Sequence, residues 1–271
     1  MLRFNVDIDF SFINQILDYF EKPSQNNLKR ISRHKAAKGV YSHALRFNNT
    51  KLDLEAFWEK IILREAEKIK IYHKEILACA QYIESFKDDF KAIIHELTSY
   101  FPEDLHFDCK LYLIVGYDIG IVSESNAFLN IGFPLFHEHK RELLYFAMHE
   151  LHHVGYTFYH PIYSLEDLKT TSDLLRIIKY STHLEGLAVY APLHRRLEEG
   201  CIAHKDYQVL AKESERLRHV NEFFSIFKAI KQNPNRPIIK TDYELIERLA
   251  GDSRLWYITG AHMAETIDKE L

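Results

Sequence analysis

YFAMHELHHVGY, residues 145–156, carries His149, Glu150 and His153 in the order HExxH. On an α-helix, residues four apart project about 40° from one another, so both imidazoles leave one face, one above the other. Two neutral nitrogens placed in this way can grip one cation. Glu150, one step round the helix, stands beside the open side of that cation. Leu143, Leu144, Ala147, Met148, Leu151 and Val154 supply the apolar positions of a largely buried helix, with Glu138, Lys140 and Arg141 expected in its first turn. Two histidines and a glutamate are costly to bury without partners, and a metal ion satisfies all three. His152 pairs with His149 at a spacing of three, but only His153 leaves Glu150 in its catalytic relation. His152 is therefore expected behind the ligands or at the surface.

A catalytic zinc needs three protein ligands and an open position for water. The metzincin extension HExxHxxGxxH is missing, because Tyr156 holds its glycine position and Tyr159 its third histidine position. A carboxylate remains. Glu166, Asp167 and Asp173 lie in the polar run SLEDLKTTSD, where acidic residues cap helices without needing a metal. Glu185 stands alone among Leu184, Leu187, Ala188 and Val189, with Gly186 permitting close helix approach. A buried carboxylate in such surroundings calls for a cation. His183 projects about 200° away on the same helix and cannot face the same ion. Glu185 is the preferred third ligand.

At 271 residues and 46% hydrophobic, the chain can bury roughly 70–75% of its unfolded surface, enough for one large domain or two closely packed ones. A formal charge of −4 and a pI near 6.5 leave no basic footprint for nucleic acid or an anionic membrane. No apolar run approaches about 18 residues, and MLRFNVDIDFSF lacks the apolar centre of a signal peptide, so a cytoplasmic location is expected. Cys79, Cys109 and Cys201 are widely spaced, form no zinc-ribbon pattern, and read as small buried hydrophobes in a reducing compartment.

Residues 3–10 alternate like a strand, a helix follows until Pro23, and another is expected over residues 34–47, where His34 and His43 read as packing or surface residues. Residues 51–101 hold no Gly or Pro and keep helical spacing, which predicts two helices or one with a break. Residues 109–115 and 126–132 are strands around a turn at 116–118, and the HExxH helix comes next. A loop is expected over 157–164, then helices over 168–180 and 206–231, one started by a Thr241–Glu244 capping box, and one over 252–269. With no internal repeat or linker, residues 1–271 are expected to form a single zincin-like unit. Its helical subregion covers about 1–105 and its metal-binding part about 106–271. The expected class is α+β, predominantly α-helical, with a small sheet next to the HExxH helix. An edge strand there can pair with an extended substrate.

HELHH at 149–153, LEGLA at 184–188, WYITGAHMA at 256–264 and HKAAKGVYSHA at 34–44 together resemble bacterial domain-of-unknown-function families described as zinc-dependent peptidases, with gluzincin-like peptidases as wider kin. The resemblance covers most of the chain and implies a zinc ion and a peptide substrate. NAF at 126–128 is similar to the edge-strand Asn-Ala-Phe of thermolysin-like enzymes, which implies that Asn126 and Ala127 grip the substrate backbone. Those enzymes carry, four residues beyond the glutamate ligand, an aspartate that orients a zinc histidine. Val189 stands there in this chain, so any such acceptor must come from elsewhere.

The implied activity is peptide-bond hydrolysis at Zn²⁺ held by His149, His153 and Glu185, with Glu150 as general base and proton donor to the leaving amine. Tyr257 is the first candidate to stabilise the oxyanion, because Gly260 and Ala264 give its helix a smooth side; His262 is the second. They lie about 140° apart on the helix, so at most one faces the metal. Two other classes remain open: a binding or regulatory protein with a structural zinc closed by His183, His160 or His137, and a non-peptide amide hydrolase using the same centre.

Overall fold

Phe4 and Ile8 point inward from strand β1 (Arg3–Asp9), while Asn5 and Asp7 face out, as the alternation requires. The computed structural model describes residues 3–47, 50–162 and 168–270, and its chain divides into two units, Met1–Phe158 and Tyr159–Leu271. In the first, helices α1 (Ser11–Glu21), α2 (Gln25–Arg33) and α3 (Lys35–Arg46) follow β1. The sequence reading missed α2, a short polar helix whose start is fixed by Ser24 accepting from the Asn27 amide. Helix α4 (Leu54–Ser85) starts under an Asp53 cap and kinks at Tyr72, where the backbone leaves helical geometry (φ −102°, ψ 15°). Helix α5 (Lys87–Ile94) and a 3₁₀ turn (His95–Tyr100) complete the expected broken helical stretch.

Three more strands build the sheet: β2 (His106–Ile114), β3 (Gly120–Ser123) and β4 (Asn126–Asn130). Their order is β1-β2-β4-β3. β1 runs parallel to β2 from Arg3↔His106 to Asp9↔Tyr112, and β2 parallel to β4 from Leu111↔Ala127 to Ile114↔Asn130. β3 lies antiparallel to β4 at the edge. Leu111, Leu113, Ala127 and Leu129 are wholly buried on one face, and Tyr112, Ile114 and Phe128 are buried on the other, which suits strands covered on both faces. β3 escaped the sequence reading because four residues inside a turn-rich segment give no periodicity to read.

Helix α6 (Pro134–Glu138) precedes α7 (Glu142–Tyr159), the HExxH helix. Glu138 belongs to α6, and Lys140 and Arg141 form the turn between them, so none of the three lies in the first turn of α7 as expected. At its other end α7 continues through residues expected to be loop; the Thr157 hydroxyl donates back to the His153 carbonyl at 2.8 Å. Gly155 lets α7 close on Phe101, since a Cβ there would collide with the ring.

The second unit is helical: α8 (Thr171–Tyr190), α9 (Leu193–Glu199), α10 (Lys205–Leu210), α11 (Glu213–Lys231), α12 (Lys240–Ala250) and α13 (Leu255–Glu270). α8 is one unbroken helix that begins with a Thr170–Asp173 capping box and carries Glu185 in its last third. The expected Thr241–Glu244 box is not used. Asp242 accepts from the Ile239 amide at 2.8 Å and is itself held by Arg236 at 2.7 and 2.9 Å, a stronger anchor than a threonine hydroxyl. Among the described residues no helix is long and apolar enough to cross a membrane. The fold is predominantly helical α+β with a small four-stranded mixed sheet.

α8 and α13 meet backbone to backbone at Gly186 and Gly260. A Cβ on Gly260 would collide with the Thr182 carbonyl oxygen and lie 2.7 Å from Gly186 Cα. No side chain can rotate to relieve that clash. Gly260→Ala is expected to cost about 1–3 kcal/mol, as overpacking does, and to lower the melting temperature by several degrees in calorimetry.

Candidate metal centre

Buried apolar residues on α7 hold its helical register, and that register aims the chemistry. The rings of His149 and His153 lie 4.5 Å apart between centroids, tilted at 80°. Glu150 is 6% exposed and His153 9%, so both carry polar groups into an interior where a partner is needed. His152 is buried too, stacked on Phe101 at 5.8 Å, which makes it a packing residue and rules out the surface position.

Gly120, the first residue of β3, presses on Glu150. A Cβ there would lie 2.6 Å from the carboxyl carbon of Glu150. The side chain that meets it is flexible at its end, so Gly120→Ala should shift the carboxylate while leaving the fold intact. With Glu150 in the general-base role that the sequence implies, the expected result is a clear fall in kcat with little change in melting temperature, read from steady-state kinetics beside circular dichroism.

In the second unit, Glu185 on α8 has Tyr257 and Arg254 as electrostatic neighbours. Burial pushes the Tyr257 phenol well above its ordinary range; the Glu185 charge pushes it further, against the opposing pull of Arg254. Tyr257 therefore stays protonated and can donate a hydrogen bond. Arg254 stays charged because the Asp206 carboxylate offsets the burial that opposes its charge. His262 sits in other company. Burial, Arg216 and Lys269 lower its pKa, while Glu265 opposes them. Of the two oxyanion candidates, Tyr257 is the one near Glu185.

His149, His153 and Glu185 each offer one ligand atom, and these atoms all lie within 4.8 Å of one another. Among the described residues this is the group able to hold a metal ion, and it has three members: His183, His160 and His137 do not join it. Two imidazoles and one carboxylate are a donor set that zinc takes, and the three groups lie near enough for small side-chain rotations to bring them onto one ion. Asp173 is committed to its capping box. Glu166 and Asp167 lie outside the described residues.

Asn126 and Ala127 do not fit the edge-strand role. Both belong to β4, which is bonded to β2 on one side and β3 on the other. The Asn126 side chain accepts from the Lys110 amide at 2.9 Å and donates to the Glu124 carbonyl at 2.7 Å. An interior strand has no open edge to offer a substrate, and β3 holds the edge instead. Reasoning from sequence also missed Gly120, Arg254 and Asp206. Gly120 carried a signal, an isolated glycine between apolar residues, which marks close approach.

A family model described as "Putative zinc dependent peptidase (DUF5700)" matches residues 15–271. No curated protein and no solved structure matches the chain.

Proposed function

We propose that the chain, which belongs over residues 15–271 to the family described as "Putative zinc dependent peptidase (DUF5700)", hydrolyses peptide bonds with Glu150 as general base. The observation that carries the reading is the convergence of His149, His153 and Glu185 on one small volume, with no fourth described His, Cys, Asp or Glu completing the set. A structural zinc takes four protein ligands, whereas a catalytic one keeps a position open. Zinc bound there supplies a Lewis acid that polarises the scissile carbonyl and makes a nearby water acidic.

The remaining work falls to the chain's own side chains. Glu150, next to His149 on α7, would take the water's proton and pass it to the leaving amine. Tyr257, protonated near Glu185, donates to the developing oxyanion. The test is a peptide-library digest by the purified protein. Cleavage that a zinc chelator abolishes and added Zn²⁺ restores is the expected result; no cleavage by zinc-loaded protein would contradict it.

A further inference from the structure

Arg254 occupies a backbone position that arginine ordinarily avoids. Its φ is +46°, in the left-handed region that favours glycine or asparagine. Residues held there against their steric preference cluster where a site needs them. The side chain is fixed from two directions. Nε donates to both oxygens of Asp206, at 2.6 and 2.8 Å, and Asp206 is itself only 2% exposed. The guanidinium carbon then lies over the Tyr257 ring, 3.5 Å from its centroid. A clamped planar cation against an aromatic face restricts where that ring can turn.

We propose that Arg254 is a positioning residue, clamped by Asp206, that holds the Tyr257 ring, and with it the phenol, in one orientation. The proposal rests on the hydrolase reading only for the use made of that phenol. The positioning itself is a property of the protein without metal. Lysine keeps the charge of arginine but loses the plane and the fork, so charge alone and ring clamping can be separated.

The test uses the full chain labelled with 3-fluorotyrosine and read by ¹⁹F NMR. The Tyr257 line is identified among the 16 tyrosines by its disappearance in Tyr257→Phe. In Arg254→Lys and Arg254→Met that line is expected to move or broaden while the others keep their places. Arg254→Lys also serves if Arg254→Met fails to fold. In turnover, kcat should fall about ten-fold with KM little changed, short of the ~10²–10³ that losing an oxyanion donor costs. Adding Arg254→Lys to Tyr257→Phe should cost nothing further in kcat, since residues acting through one another are not additive.

An unmoved Tyr257 line in Arg254→Lys would overturn the proposal, as would kcat losses that multiply in the double variant. A line that moves in a protein with neither zinc nor turnover would uphold the clamp and sink the hydrolase reading instead.

Discussion

Glu150→Gln is expected to purify with its full zinc content and to lose peptide cleavage by about 10²–10⁴-fold, the span that general-base groups contribute. Glutamine has the shape of glutamate, so the close approach of Gly120 is preserved and the packing of α7 is undisturbed. What changes is basicity alone. An amide cannot take a proton from water, nor return one to an amine. The variant therefore separates the proposed chemistry from metal binding, which the proposal assigns to His149, His153 and Glu185. Metal analysis beside a peptidase assay checks both halves. Undiminished turnover would remove Glu150 from the mechanism, and lost zinc would make it a ligand.

Glu185→Ala is expected to strip the metal. It deletes the one carboxylate of the three proposed ligands and leaves two histidines, short of what either a structural or a catalytic zinc needs. The loss of zinc affinity should exceed the ~10–100-fold that accompanies loss of a residue merely supporting a ligand. The fold should survive, because the α8–α13 crossing depends on Gly186 and Gly260 and on the buried faces around Leu174, Ile178 and Trp256. Competition against a fluorescent zinc chelator measures the affinity, and circular dichroism the fold. Zinc held as tightly as before would mean that the third ligand lies elsewhere.

The parts of this protein legible from its sequence are those governed by periodicity and local chemistry. HExxH on an apolar helix announced the ring pair, because four-residue spacing leaves it little choice of geometry. Glu185 could be singled out because an acidic side chain among leucine, alanine and valine is expensive to bury, and it does lie with His149 and His153. The class of fold followed from long helical stretches around two apolar strands. What stayed hidden depends on contacts distant along the chain. β3 is four residues long, and only its pairing with β4 makes it the sheet's edge and moves that role away from Asn126 and Ala127. The Asp206–Arg254 clamp joins residues 48 apart, and nothing in either local segment marks them as partners. α2 was obscured by its polarity and brevity, since nine residues with only Leu28 and Ile31 as buried apolar positions are too few for a period to be read.

The most direct measurement is a crystal structure of the zinc-loaded full chain, with the ion located by anomalous scattering at the zinc edge. The proposal predicts one ion ligated by His149, His153 and Glu185, with solvent in the remaining position. An ion with a fourth protein ligand, or a Glu185 carboxylate turned away from it, would contradict the account.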